Sequence, residues 1–271
     1  RRPPRSTLFP YTTLFRSCFR LLSSRASWDS LLTLDSHTIE ELQWWLSSVD
    51  SFNCRELCHK SVDAQIITDA SRIGWGGVLQ MSETREASGN WNINISKRSS
   101  NFRELMGILL SLIAFTPFVR GLSVQILTDN STALAYVNNK GGPSHSLTEI
   151  AKAIWATATE SGVSIHCKHI AGVNNQHADF LSRRMDKYGW MLHPKLFRLI
   201  DRLWGPHTVD RFASMNNAQL PAYNSLYWEP MSRGVDALAQ TDWGEENNYV
   251  NAPFCILQRV LDKVIDQRAY A

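Results

Sequence analysis

Two stretches of this chain repeat one another: "QIITDAS" at 65–71 and "QILTDNS" at 125–131. Each is an apolar run followed by Thr-Asp and a small or polar residue. Each therefore reads as a short buried strand that ends on a carboxylate. One aspartate at a strand end is ordinary, because aspartate forms turns and caps helices. The capping alternative applies to Asp129, which is followed by "NSTALAYV". Two copies of one phrase constrain the fold further. If the two strands lie side by side, Asp69 and Asp129 emerge together where the sheet stops.

The remaining pattern allows that arrangement. "AQIITDA" (64–70) and "GWGGVLQM" (74–81) are strands separated by a tight turn. "GNWNINIS" (89–96) alternates Trp91, Ile93 and Ile95 against Asn92, Asn94 and Ser96, which predicts a third, half-buried strand. "NFRELMGILLSLIAFTPF" predicts a long helix from near Asn101 to around Pro117. "SVQILTD" is a fourth strand, "STALAYVNN" and "LTEIAKAIWATATESG" are helices, "VSIHCKHI" is a fifth strand and "NQHADFLSRR" a last helix. The order β-β-β-α-β-α-α-β-α implies an α/β protein with a mixed sheet and helices on its faces. Upstream, "SHTIEELQWWLSSV" (36–49) reads as an amphipathic helix packed on a neighbour. Ser36 or Thr38 would be its cap, and Ile39, Leu42, Trp45, Leu46 and Val49 its apolar face.

Which acids can join Asp69 and Asp129? Glu104 opens the long helix, and Asp179 lies in the last one. Four carboxylates converging without basic partners repel, at about 4 kcal/mol per pair 4 Å apart in an effective dielectric near 20. Hard divalent cations with oxygen ligands relieve that repulsion. Two such ions a few ångströms apart form the clamp that cleaves phosphodiesters.

The phrases "TDAS…GWGG", "NFREL", "TDNS" and "HIAG…NNQHAD" over about 63–184 resemble the type 1 ribonuclease H domain attached to reverse transcriptases, with DIRS-type retrotransposons as the best relatives. The resemblance implies a five-stranded sheet of order 3-2-1-4-5. It implies two magnesium ions, for which manganese can substitute, held by Asp69, Glu104, Asp129 and Asp179. It also gives His169, ten residues before Asp179, a part in proton transfer or product release. Asn101 and Asn175 stand where the family has asparagines near substrate, and Ser71, Gly74 and Gly76 of the first turn are expected substrate contacts. The expected partners are an RNA–DNA hybrid and the reverse-transcriptase domain of the same polyprotein, with no membrane.

Composition agrees with this reading without demanding it. With 44% hydrophobic and 20% charged residues and a formal charge of +3, the chain has the make-up of a globular protein. Residues 63–184 hold 11 Lys and Arg against 9 Asp and Glu, and setting the four candidate ligands aside leaves +6 for a phosphate backbone. Five scattered cysteines favour a reducing compartment, cytoplasmic or nuclear. Cys54, Cys58 and His59 lack a second ligand pair at zinc spacing. The longest apolar run, 105–119, is shorter than the roughly 18–20 residues of a membrane-spanning helix.

Residues 1–17, "RRPPRSTLFPYTTLFRS", resemble a translated sequencing adapter and are expected to be disordered. Residues 18–62 read as a tether from the reverse-transcriptase side, and the chain as a fragment of something longer. From 185 to 271 the composition shifts to tryptophan, asparagine and proline. This smaller α/β segment is similar to phage-type N6-adenine DNA methyltransferases. "NAPF" stands where the family's base-holding loop would be, which makes Asn251, Pro253 and Phe254 a candidate degenerate loop. Ala252 replaces a proline of that loop and no glycine-rich cofactor turn is present, so S-adenosylmethionine is not expected to bind. Asn251 and Phe254 would border a concave surface, with Asp210 nearby on a strand. The function expected is a magnesium-dependent endonuclease that cuts the RNA strand of RNA–DNA hybrids during reverse transcription of a retroelement. The alternatives are a catalytically silent nucleic-acid- or partner-binding module, or a DNA adenine methyltransferase fragment.

Overall fold

The computed structural model describes residues 61–184 and 189–271, with isolated positions between 31 and 47. Strands β1 (Ala64–Ala70), β2 (Gly74–Gln80), β3 (Thr84–Asn90), β4 (Ser123–Thr128) and β5 (Ser164–His169) form one sheet, ordered β3-β2-β1-β4-β5. The first three meander antiparallel, and β4 and β5 add parallel to β1. This mixed sheet with flanking helices has the 3-2-1-4-5 order that the ribonuclease H resemblance implies. The two repeated phrases pair with each other, Gln65 opposite Gln125, Ile66 opposite Ile126 and Ile67 opposite Leu127. Gln65 Nε2 donates to Gln125 Oε1 at 3.2 Å.

Five helices accompany the sheet: α1 (Ile93–Ser96), α2 (Ser100–Val119), α3 (Ser131–Asn138), α4 (His145–Glu160) and α5 (Gln176–Arg183). Neighbouring positions on β2 show that α2 and α5 cover opposite faces. A Cβ on Gly77 would run into Ser111 and Phe115 of α2, and one on Gly76 would meet Ala178 O at 2.5 Å and Leu181 Cβ at 2.6 Å on α5. The larger core lies on the α2 face, around Trp75, Leu105, Ile108, Leu112, Phe115 and Ile126. A smaller one of Ile67, Val78, Ala178 and Leu181 lies under α5.

Several expectations are corrected. The third strand is the polar stretch "TREASGN", not the alternating run 89–96. Asn92 caps α1 instead: its side chain accepts from the backbone N–H of Asn94 at 3.1 Å and of Ile95 at 3.0 Å, and this turns the chain out of the sheet. Ladder pairing with β2, Gly77 opposite Ala87, selects the strand over its own hydrophobicity. The long helix keeps Pro117 inside its last turn and runs to Val119. At 20 residues it is long and apolar enough to cross a membrane, unlike the shorter apolar run read from the sequence. It is instead the core helix, packed on β1, β2 and α4.

Upstream, the helical residues begin at Ser36 and the cap is Asp35, whose Oδ1 accepts from Thr38 N at 2.8 Å. Ile39 and Leu46 of the expected apolar face are 42% and 84% exposed. Residues 1–17, Trp45, Val49, Cys54, Cys58 and His59 lie outside the described residues.

The C-terminal segment holds α6 (Pro194–Trp204) and α7 (Leu257–Asp266). Two short parallel pairs complete it: β6 (Val209–Asp210) with β9 (Asn248–Tyr249), and β7 (Asn224–Ser225) with β8 (Gly234–Val235). Its core is Ala237, Trp243 and Val260. On α7, Val260 is buried while Leu261 and Ile265 are 55% and 72% exposed.

The segment docks on the outer strand of the sheet. Trp228 N donates to Glu86 O at 3.1 Å, and the Trp228 ring meets Phe118 edge-on at 4.9 Å. Asn216 Nδ2 donates to Asn90 O at 2.6 Å, and Arg184 stacks on Tyr227 at 4.7 Å. The otherwise open β3 edge is thereby covered in part.

Candidate metal centre

Asp69 is the next-to-last residue of β1, and Asp129 directly follows β4. Because β1 and β4 pair residue for residue, the two acids fall at the same level of the sheet. The capping alternative for Asp129 falls away. Asn130 caps α3, its Oδ1 accepting from Ala133 N at 2.8 Å, so the Asp129 carboxylate is left exposed. Glu104 reaches the same point from the first turns of α2. One carboxylate oxygen from each of Asp69, Glu104 and Asp129 lies within 4.8 Å of the others.

Asp179 is close enough to push the Asp69 pKa up, but its carboxylate is turned to Arg183, with Oδ1 2.7 Å from Nε and 2.6 Å from Nη2. That ion pair is exposed and therefore weakly held.

The electrostatics are those of carboxylates crowded together at a partly buried site. Burial, then the charges of Asp69 and Asp129, push the Glu104 carboxyl up to about 8. Glu104 Oε2 is buried with no hydrogen-bond partner. Burial likewise raises Asp69, against the lowering effect of a hydrogen bond from Ser182. Oxygen-only donors, mutual repulsion and a buried unpartnered oxygen fit a hard divalent cation.

The other sequence candidates fall into two groups. His169 ends β5 exposed, opposite Thr128 and so one residue from Asp129 in register. Asn101 Oδ1 accepts from Asn130 Nδ2 at 3.0 Å, tying α2 to the cap of α3. Asn175 is buried and supports Asp69 from behind. Its Nδ2 donates to Thr68 O at 3.2 Å and to Asp69 Oδ1 at 3.4 Å.

Ser71, Gly74 and Gly76 have structural work of their own. Ser71 Oγ donates to Ser182 O at 2.5 Å and accepts from Ile73 N at 2.9 Å. Gly74 and Gly76 are buried within the ladder, which leaves Arg72 and Ile73 as the exposed tip of that turn. Sequence reading missed Ser182, whose fully buried Oγ donates to Asp69 Oδ2 at 2.5 Å. Its signal was helical spacing: Ser182 follows Asp179 by three residues, so the two share one face of α5.

In the C-terminal segment, Asp210 lies on β6 beside Tyr249 of β9 and is buried, which raises its carboxyl to about 6. Asn251 Nδ2 donates to Trp190 O at 2.9 Å, and Phe254 is 91% exposed. The cavity of this segment is walled by Pro253 and Ile256, not by Asn251 and Phe254 as the sequence reading expects.

The described chain thus combines a mixed sheet of order 3-2-1-4-5 with an acidic cluster, of which Asp69 and Glu104 are buried and Asp129 exposed, at the ends of its central strands. No protein-family model matches the chain. Over 133 residues, 45% of its length, it is 31% identical to the enzymatic polyprotein of cauliflower mosaic virus strain Strasbourg, and 30% identical to that of strain D/H. It spans 19% of the length of those relatives. Similar solved structures include a ribonuclease H1 from Halobacterium salinarum NRC-1, at 15% identity and TM-score 0.36 over 44% of this chain and 92% of that one. Another is the prototype foamy virus protease-reverse transcriptase, at 13% identity and TM-score 0.30 over 60% of this chain and 22% of that one.

Proposed function

We propose that the chain is a magnesium-dependent endonuclease that cuts the RNA strand of RNA–DNA hybrids, as one module of a retroelement polyprotein with a reverse-transcriptase part. The observation that carries this reading is the convergence of Asp69, Glu104 and Asp129 within 4.8 Å at the ends of the central strands β1 and β4, with Asp179 beside them. Asp69, Glu104, Asp129 and Asp179 would hold two magnesium ions, or manganese in their place. When bound, such a pair activates water and stabilises the leaving oxygen.

The chain's own groups do the rest. Ser182 and Asn175 fix both oxygens of Asp69. His169, exposed beside the end of β4, moves a proton or eases product release. The 2′-hydroxyl distinguishes RNA from DNA, read by the exposed turn at Arg72 and Ile73. Identity to a viral polyprotein and the "NFREL" and "HIAG…NNQHAD" phrases support the retroelement setting, and the five scattered cysteines favour an intracellular, reducing location. The test is incubation with labelled RNA–DNA hybrid, with and without magnesium. Cleavage confined to the RNA strand and dependent on the metal is expected, and an intact hybrid would sink the reading.

A further inference from the structure

A cavity of about 580 Å³ lies where the C-terminal segment meets the sheet. Its walls come from both sides of that junction. Ser88, Gly89 and Asn90 at the end of β3 and Arg184 just after α5 form one side. Arg211, Phe212, Asn224, Tyr227, Pro253, Ile256 and Arg259 belong to the other.

Its chemistry has two halves. Phe212, Tyr227, Leu238, Pro253 and Ile256 make an apolar and aromatic wall. Arg184, Arg211 and Arg259 supply guanidinium donors, of which Arg184 already lies over the Tyr227 ring, 4.7 Å from its centroid. Arg211 has no exposed surface. Its Nε and Nη1 bond to Asn248 at 2.6 Å and Asn224 at 2.9 Å, and Asp242 lies 2.9 Å from Nη1. Its Nη2 has no hydrogen-bond partner among the described residues. The two carboxylates of the cavity are engaged in the walls: Glu229 Oε2 accepts from Met215 N at 2.6 Å, and Asp236 Oδ1 from Leu238 N at 3.1 Å. A flat aromatic ligand carrying an anionic group fits this division, and the volume is that of a small-molecule site.

The position identifies the source of such a ligand. Asp69 pairs with Gly76, and Gly76 with Ser88, so Ser88 sits in the row of the catalytic acid two strands away. At a strand spacing of 4.8 Å that is about 10 Å. With a rise of about 3.4 Å per nucleotide, it is a span of roughly three nucleotides. Arg184 adjoins Arg183, the partner of Asp179, so one helix end serves both places.

We propose that this cavity is a nucleotide subsite that takes one unpaired nucleotide of a nucleic-acid strand overhanging the hybrid, its base against Tyr227 and Phe212 and its phosphate on the arginines. This rests on the nuclease reading above, because the overhang belongs to that substrate. The subsite would favour junctions between hybrid and single strand over the middle of a long hybrid.

The test uses the full chain carrying Asp69→Asn, which binds without cutting. Its Kd is measured for a blunt RNA–DNA hybrid and for the same hybrid with a three-nucleotide overhang on either strand. One overhang should bind about tenfold tighter than blunt, the effect of a stacked and neutralised nucleotide. Arg259→Glu, at an exposed position, and Tyr227→Ala should each bring that ratio towards one. Equal affinity for blunt and overhanging hybrids overturns the proposal, as does a preference that survives both substitutions. The nuclease reading is judged separately, by wild-type cleavage of the blunt hybrid in magnesium. A protein that cuts blunt hybrid but ignores overhangs refutes only the subsite. One that prefers overhangs but cuts nothing supports the subsite and refutes the nuclease.

Discussion

Asp69 is pulled in two directions by its surroundings. Burial and the neighbouring carboxylates favour its protonated form, while the Ser182 hydroxyl favours the charged one. Asp69→Asn should abolish metal-dependent cleavage and leave the fold intact or slightly more stable, since one repelling charge is gone; circular dichroism melts and the hybrid assay check both parts. Ser182→Ala removes the stabilising hydrogen bond. It should therefore weaken magnesium affinity and cost about 1–2 kcal/mol of stability, seen as a raised magnesium half-saturation and a lower urea midpoint. His169→Ala should slow turnover by about 10²-fold without changing magnesium affinity; a loss of affinity would make it a ligand instead.

Glu104 gives a pH dependence whose sign can be worked out. Its folded pKa is raised from 4.5 to about 8. Between those values the folded state holds a proton that the unfolded chain has lost. Metal-free stability therefore falls as pH rises from about 4.5 to about 8, then levels off. Glu104→Gln should flatten that slope in urea titrations taken at several pH values without metal.

At the scale of elements, two local signals competed between residues 84 and 96. The run 91–96 has the better strand pattern, and "TREASGN" has a poor one. The latter became β3 because seven consecutive residues find ladder partners on β2, while Asn92 offers its successor a ready helix cap. Asn92→Ala should cost about 1 kcal/mol by loosening α1, with no change in the sheet, which amide exchange would resolve. Helix α2 shows a related effect. Its apolar run is too short for a membrane span when read as letters, but the helix around it reaches 20 residues and is buried against the sheet.

At the scale of the whole molecule, the C-terminal segment is joined to the five-stranded sheet by contacts on both its strand edge and its helix ends. The Trp228–Glu86 bond, the Trp228–Phe118 ring pair and Arg184 on Tyr227 link the two parts. Trp228→Ala should cost about 2 kcal/mol and uncouple the two parts, giving two unfolding transitions where the wild type gives one. A single unchanged transition would show that the docking is not energetic.

The sequence by itself put the first and fourth strands side by side with their acids together, because a repeated apolar phrase ending in aspartate can pair in register and carries its carboxylate with it; the full strand order was what the family resemblance implied. Only the tertiary structure decided what surrounds those acids. Ser182 and Asn175 reach Asp69 from 113 and 106 residues away; helical spacing sets Ser182 on the face of Asp179, but the contact with Asp69 is made only by the folded chain. Likewise Asn130, not Asp129, became the cap of α3, a choice between adjacent polar residues that backbone geometry settles. The cavity beside β3 is furthest from anything legible in the letters. Its walls are drawn from residues 88 to 259, and its shape exists only once a polar strand, selected by its neighbour, gives the C-terminal segment an edge to dock on.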